Sequence, residues 1–345
     1  MDRTAILFAL AAAGLFGLST PIAKVLLGSV DPWVLAGILY SGAGAGLLAF
    51  RLAGPKAAEA KLVRADLPWL ALSVATGGIA GPALLMLGLT RLDGATASLL
   101  LVLEGVFTAL LAWFAFRENF DRRIAVGMLA IVAGAAVLSW PAARLPDGLG
   151  APLFVAAACL AWGIDNNVTR KVALADPVAI AAIKGLVAGP VNIALGLWAG
   201  ASLPDGATVV LGAATGLLGY GISLVMFVLA LRHLGTARTG AYFSLAPFIG
   251  AVAAVAVLGE PVTSELFAAG ALMAVGVWLH ASERHVHPHE HHEIAHAHRH
   301  THDEHHAHDH PPGTDLSVPH AHPHVHAPLR HAHAHMPDSH HRHSH

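Results

Sequence analysis

Ala12-Ala13-Gly14-Leu15-Phe16-Gly17 returns, one residue longer, as Ala157-Ala158-Cys159-Leu160-Ala161-Trp162-Gly163. The surroundings return with it: Lys24 and Asp31-Pro32 follow the first copy, Arg170-Lys171 and Asp176-Pro177 the second. Further along, Phe116-Arg117-Glu118 is answered by Leu258-Gly259-Glu260 at an offset of 142, and Gly134 by Gly276 at the same offset. Self-similarity at a fixed long period marks a duplicated structural unit. The chain therefore reads as two halves, 1–140 and 141–281, followed by a different material over 282–345.

The halves are apolar. Of the 345 residues 55% are hydrophobic and 12% charged, about half the charge of an average soluble domain, which excludes a single soluble globular domain. Runs of about 20 apolar residues, enough to cross a hydrocarbon core of about 30 Å, fall at 5–28, 33–52, 67–90, 94–116, 123–140, 150–169, 177–199, 207–231, 236–258 and 263–281. They are solidly apolar rather than alternating, so they predict helices and not barrel strands. The expected fold is an all-α integral membrane protein with ten transmembrane helices, five in each half.

Because five is odd, two such halves enter the bilayer with opposite orientation, giving inverted repeats. The basic residues agree with that arrangement. With the N-terminus inside, the inner ends hold Arg3, Arg51, Lys56, Lys61, Arg64, Arg117, Arg122, Arg123, Arg170, Lys171, Arg232, Arg238 and Arg284. The outer ends hold only Lys24, Arg91 and Arg144. Cytoplasmic loops carry the Lys/Arg excess, so a multi-pass protein of the cytoplasmic (inner) membrane with both termini cytoplasmic is expected. Trp33, Trp69, Trp113, Trp140 and Trp198 stand near span ends, as an interfacial belt requires.

Several chemistries drop out. A formal net charge of −2 with no basic stripe gives nucleic acid no purchase. Cys159 is the one cysteine, so neither a disulfide nor a Cys-x-x-Cys metal site is available. No Gly-x-x-x-x-Gly-Lys-Ser/Thr run offers a phosphate cradle, and no Gly-x-Ser-x-Gly elbow offers a nucleophile. An enzyme is not expected. The small residues Gly42-Ala43-Gly44-Ala45-Gly46 lie inside a span, where they let helices approach closely.

The spans, the duplicated Gly17/Gly163 region, Asp31-Pro32 with Asp176-Pro177, and Arg117-Glu118 with Gly259-Glu260 together resemble the drug/metabolite transporter superfamily, specifically its EamA-type permeases, over residues 5–281. The resemblance implies alternating-access permeation of small metabolites without ATP hydrolysis. One departure stands out. Family members often carry a proline in the middle of the fourth helix, where this chain has Leu103-Glu104-Gly105 and keeps only Pro247 in the ninth.

Ionisable side chains at membrane depth mark candidate sites, since each costs about 2.5–3.5 kcal/mol on insertion scales. Glu104, Lys184 and Asp165, the last beside Asn166 and Asn167, meet that description, and Trp162 is the one tryptophan set deep in a span. Glu104, Lys184, Asp165, Asn166 and Trp162 are therefore the expected substrate and coupling-ion residues. Lys184 either attracts a substrate carboxylate or pairs with Glu104, and Glu104 or Asp165 takes up a proton. A static ion pair between Glu104 and Lys184 is the competing structural reading. Glu118 and Glu260, each ahead of the last span of its half, are expected to serve the N-terminus of the following helix.

All but His233 and His280 of the 26 histidines lie beyond residue 281. The tail is expected to be disordered and to bind divalent transition metals, namely Zn, Ni, Co or Cu, through His285, His287, His289, His296, His298, His300, His302, His305, His306, His308 and His310. Transport itself needs no cofactor on this reading. Two functions compete: a secondary transporter of a small organic metabolite with a metal-responsive tail, and a divalent metal exporter whose tail collects ions. The expected partners are the lipid bilayer, a small-molecule solute and divalent metal ions; a homodimer is left open.

Overall fold

The computed structural model describes residues 3–53, 62–116, 122–141, 148–169, 171–172, 175–234 and 236–281, with 285–291, 294–300, 320–326 and 329–335 in the tail. The first half runs α1 (Arg3–Leu26), α2 (Pro32–Ala53), α3 (Leu67–Ser73), α4 (Gly81–Leu89), α5 (Gly94–Leu100), α6 (Leu103–Phe116) and α7 (Arg122–Ser139). The second runs α8 (Gly150–Thr169), α9 (Pro177–Trp198), α10 (Gly206–Gly216), α11 (Ser223–Leu234), α12 (Thr236–Phe243), α13 (Ala246–Leu258) and α14 (Ser264–Ala281). Among the described residues, seven helical stretches are long and apolar enough to cross a membrane: Arg3–Leu26, Pro32–Ala53, Arg64–Leu89, Gly94–Ala115, Arg122–Ser139, Pro177–Trp198 and Gly206–Ala230. The protein is a multi-pass membrane protein.

Side-chain caps set several helix starts. Asp31 Oδ1 accepts from the N–H of Trp33 at 2.9 Å, and Asp176 Oδ1 from Val178 and Ala179 at 2.9 and 3.1 Å. Each carboxylate thereby satisfies donors that the first turn leaves unpaired. Asp93 and Asp205 do the same for α5 and α10. At the far end of α13, Gly259 takes a left-handed φ of 70° as the C-cap.

Four of the expected spans are not continuous α-helices. Val74–Ala80 is a π-helical segment joining α3 to α4, and Leu217–Ile222 is another joining α10 to α11. Turns at Leu101-Val102 and Ser244-Leu245 separate α5 from α6 and α12 from α13. The irregularities fall at matching places in the two halves. Pro247 accounts for the second turn, since it can open a helix but cannot continue one. The first is made without proline.

The halves interlock. α1 packs on α11 and α13 of the second half, α8 on α4 and α6 of the first, and α2 lies along α9 in the most extensive helix pair. That approach depends on small residues: a Cβ on Gly185 would lie 2.5 Å from the Gly44 nitrogen and the Tyr40 carbonyl oxygen. A Cβ on Gly42 would strike the backbone of Ala213, so the glycine run of α2 serves packing. Leu35, Leu39, Leu85, Met86, Leu89 and Leu100 fill the core, while Phe114, Leu129, Phe267 and Val257 stand more than two-thirds exposed. An apolar outer surface of that kind suits lipid rather than water.

In the tail, where the sequence predicts no regular structure, the described residues pair instead as strands. His285–His291 (β1) runs antiparallel to Leu329–His335 (β4), and Ile294–His300 (β2) to His320–His326 (β3). Period-two alternation of His with Ala, Val or Pro is the pattern a strand repeats. It outweighs the strand-breaking Pro288 and Pro323 there.

Candidate functional site

The first π segment borders both α8 and α9, and the polar groups of the protein's interior gather around it. A π turn lengthens the backbone ladder and leaves carbonyls without their usual partner; in a membrane protein those carbonyls need another donor. The Gly77 carbonyl accepts from Tyr40 OH of α2 at 2.7 Å and from Trp162 Nε1 of α8 at 3.0 Å. The Gly78 carbonyl accepts from Asn192 Nδ2 of α9 at 3.1 Å. Three helices are thus tied to one loosened turn.

Asp165 rests on the same turn. A Cβ at Gly77 would overlap its carboxylate, so the glycine makes room for the acid. Asp165 Oδ2 pairs with Lys184 Nζ, while its Oδ1 accepts from Ser73 Oγ at 2.6 Å and Thr169 Oγ1 at 2.9 Å. Both charged side chains are only 9% exposed. The carboxylate is fully engaged: one ammonium and two hydroxyls surround it.

Glu104 is the second residue of α6, just past the Leu101-Val102 turn. Its Oε1 accepts from Asn166 Nδ2 at 2.8 Å, and the same amide lies 3.3 Å from Thr108 Oγ1. Glu104 is half-buried and Asn166 exposed. Asn167 turns its amide to the backbone, donating to Thr108 O at 3.1 Å and Gly163 O at 2.9 Å.

The five expected residues therefore converge on α6, α8, α9 and the first π segment, but the expected ion pair does not form. Lys184 meets Asp165 instead of Glu104. Successive residues of a helix point about 100° apart, so Asp165 faces α9 and Ser73 while its neighbour Asn166 faces α6 and holds Glu104.

Aromatic rings join this cluster to the other half. Phe16 stands edge-on to Trp162 with centroids 6.4 Å apart, and to Tyr220 at 5.7 Å. Tyr40 and Tyr220 are 5.4 Å apart. Tyr220 belongs to the second π segment, whose Gly219 abuts Ser19 of α1 as Gly77 abuts Asp165 of α8. The two halves thus repeat the packing but not the charge: where one has an acid, the other has a hydroxyl that turns back to Phe16 O at 2.6 Å.

Other sequence expectations land elsewhere. Glu260 caps α5 of the opposite half rather than its own next helix, its two oxygens each accepting at 2.7 Å from the N–H of Gly94 and Ala95. Glu118 lies outside the described residues. Lys24 donates to the Leu89 carbonyl at 2.7 Å, at the C-terminus of α4. His285, His287 and His289 fall on β1 and His296, His298 and His300 on β2; His302, His305, His306, His308 and His310 lie outside the described residues. The strand register sets His287 opposite His333 and His298 opposite His322. Among the described residues no group of three or more His, Cys, Asp or Glu is gathered for a metal ion.

Sequence reasoning passed over four features. Tyr40, Ser73 and Asn192 carry no charge, so only the Gly77-Gly78 pair hinted at the turn they serve. Asp93-Gly94-Ala95-Thr96 and Asp205-Gly206-Ala207-Thr208 are duplicate caps, visible as a tetrapeptide that recurs before an apolar run. His292-Glu293-Ile294-Ala295-His296 has the His-Glu-x-x-His spacing that holds zinc on a helix, yet from Ile294 onward the chain is β2. A cleft of about 390 Å³ between α1 and α13 is lined by Leu18, Leu245, Phe248, Ile249, Val252 and Ala253, with no polar group to orient a solute.

Known proteins share this architecture. A protein of Methanothermobacter thermautotrophicus (strain Delta H), described as an uncharacterized transporter, is 26% identical over 283 residues, covering 76% of this chain and 82% of its own length. A protein of known crystal structure superposes with a TM-score of 0.60 at 20% identity, over 81% of this chain and 96% of its own, a likeness of fold alone. The profile of the EamA-like transporter family matches twice, at residues 3–140 and again at 149–282. Matched across both halves of its helical body, the chain belongs to the EamA-like transporter family.

Proposed function

We propose that this protein is a secondary transporter that carries a small organic metabolite across the cytoplasmic membrane by alternating access, coupled to a proton taken up at Glu104. On this reading all ten helical stretches cross the bilayer as two inverted five-helix repeats, both termini are cytoplasmic, and the His-rich tail binds divalent transition metals. The observation that carries the reading is Glu104, a half-buried carboxylate at a helix break that is held by one amide, beside an Asp165–Lys184 pair whose charges cancel. Discontinuous helices at mid-membrane are where transporters place solute and coupling-ion sites, and an intramembrane acid without a fixed cation is suited to exchange a proton.

The test is solute flux into vesicles carrying the full-length protein, with an imposed pH gradient, for the wild type and Glu104→Gln. The variant should remain folded, shown by a monodisperse elution profile, and lose gradient-driven flux at least tenfold. Undiminished flux in folded Glu104→Gln refutes the reading.

A further inference from the structure

We infer that the structure holds the protein in one of two end states, closed where α5 meets α13 and parted where α6 and α12 would meet, and that Glu260 is the latch of the closed end. The inference rests on the transporter reading above and says how its two states are held. α5 and α13 come from opposite halves and pack together in one seam. A Cβ added to Gly94 would lie 3.2 Å from the Ala254 side chain, and one added to Gly250 would lie 2.7 Å from the Ser98 hydroxyl. Ser98 is 1% exposed, and its hydroxyl has no hydrogen-bond partner among the described residues. A buried hydroxyl left bare is costly, and water entering a parted seam would satisfy it.

At the repeat offset of 142 the counterparts of α5 and α13 are α12 and α6. Those two form no comparable seam among the described residues. Ser98 is matched by Gly240, which is exposed, and a Cβ added there would meet nothing within 4 Å. The same packing surface is made in one copy and left open in the other.

Glu260 bridges the closed seam at what is, on the topology proposed above, its outer end. Its two oxygens each accept at 2.7 Å from the N–H groups of Gly94 and Ala95, charge-assisted bonds at the positive end of a helix. α5 does not need them to begin. Asp93 already caps it, accepting from the Thr96 N–H at 2.6 Å. α10 starts on the same Asp-Gly-Ala-Thr run, where Asp205 by itself serves Ala207 and Thr208. First-turn N–H groups at the end of a span can pass to water when the carboxylate leaves. A bond that is strong when made and replaceable when broken suits a contact between moving parts.

In the second state the α5–α13 seam parts and α12 closes on α6, by rocking of one packed unit against the other. Gly240 then takes the place that Ser98 has now, against Thr108, the match of Gly250. The glycine is free of neighbours in this state and crowded in the next.

The test uses the full-length protein in vesicles, with Cys159→Ser to remove the native thiol and Ser98→Cys as reporter. The rate at which a charged, membrane-impermeant maleimide on both faces labels the reporter reads the opening of the seam and needs no solute. Glu260→Ala should speed labelling at least tenfold, a shift of about 1.4 kcal/mol. Gly240→Leu fills space that is open in this state, so it should elute as folded, monodisperse protein and label at least tenfold more slowly. The double variant should label no faster than the reporter alone, because closing one seam opens the other. Mere fraying of α5 predicts the opposite, a Glu260→Ala rate that stays fast whatever stands at residue 240. That result, an unchanged rate in Glu260→Ala, or a Gly240→Leu protein that fails to fold or labels no more slowly overturns the inference. Glu104-dependent flux alongside any of these leaves the transporter reading intact. The expected rates in a protein without gradient-driven flux refute that reading and keep the two states.

Discussion

Separating Asp165 from Lys184 gives the most demanding test of the site as described. Both side chains are 9% exposed, so removing either partner strands the other in a place with little water. Breaking a buried ion pair in this way costs about 3–5 kcal/mol. The two halves of the pair are not equivalent. In Lys184→Met the carboxylate keeps the Ser73 and Thr169 hydroxyls at 2.6 and 2.9 Å, and hydrogen bonds to a charged group contribute about 1.5–3 kcal/mol each. In Asp165→Asn the ammonium retains only an amide oxygen. Lys184→Met should therefore lie near 3 kcal/mol and Asp165→Asn near 5. The double variant removes both charges and keeps an amide for the hydroxyls, so it should fall within about 2 kcal/mol of the wild type, a coupling energy of several kcal/mol. Thermal unfolding of the purified protein reads the series as losses of apparent Tm of roughly 5–15 °C for the single variants and far less for the double. Single variants within 1 kcal/mol of the wild type, or a double variant whose loss equals their sum, would refute the pairing.

Further outcomes follow from single contacts. Tyr40→Phe and Trp162→Phe each remove one donor from the Gly77 carbonyl; each should cost about 1 kcal/mol in thermal unfolding, and together more than the sum, because the second loss leaves a buried carbonyl bare. Glu260→Ala uncaps α5 at Gly94 and Ala95 and should cost about 1–2 kcal/mol, with faster hydrogen exchange at those two amides as the local readout. Gly216→Ala drives a Cβ into the Leu39 carbonyl oxygen and should reduce the yield of monodisperse protein severely, whereas Gly206→Ala, where a Cβ meets nothing within 4 Å, should not. Asp205 is held below the usual carboxylate range, first by the Thr208 hydroxyl and then by the Thr208 N–H. Its contribution to stability is present above the unfolded carboxyl range and is lost as pH falls through the lowered value, so Asp205→Asn should flatten the acid limb of the stability curve below about pH 4.

What could be read from residues alone was whatever depends on local pattern. The duplicated Gly17/Gly163 region fixed the two halves, and Asp31-Pro32 and Asp176-Pro177 marked helix starts with carboxylate caps, because capping is settled within four residues. The cluster of Glu104, Asp165, Asn166, Lys184 and Trp162 was legible because charge at membrane depth is rare. Which of those groups meet was not legible. Asp165 and Asn166 differ by one position and face different helices, and hydropathy is blind to that rotation. The reach of Glu260 into the opposite half and the role of Tyr40 and Asn192 at the first π segment depend on packing between distant helices, for which one sequence carries no signal. Strand pairing in the tail was missed because the histidine composition was given more weight than its two-residue period.

The mismatch between the halves reaches beyond binding. On the transporter reading proposed above, alternating access amounts to two inverted halves exchanging shapes, and with identical halves the two states would be related by a two-fold rotation and equal in energy. Here the acid resting on Gly77 is replaced by Ser19 on Gly219, and Glu104 by Ala246. On that reading the exchange runs between two states of unequal energy, so the empty carrier rests more often on one side; the bias sets the apparent affinity at each face of the membrane but drives no net flux without a gradient.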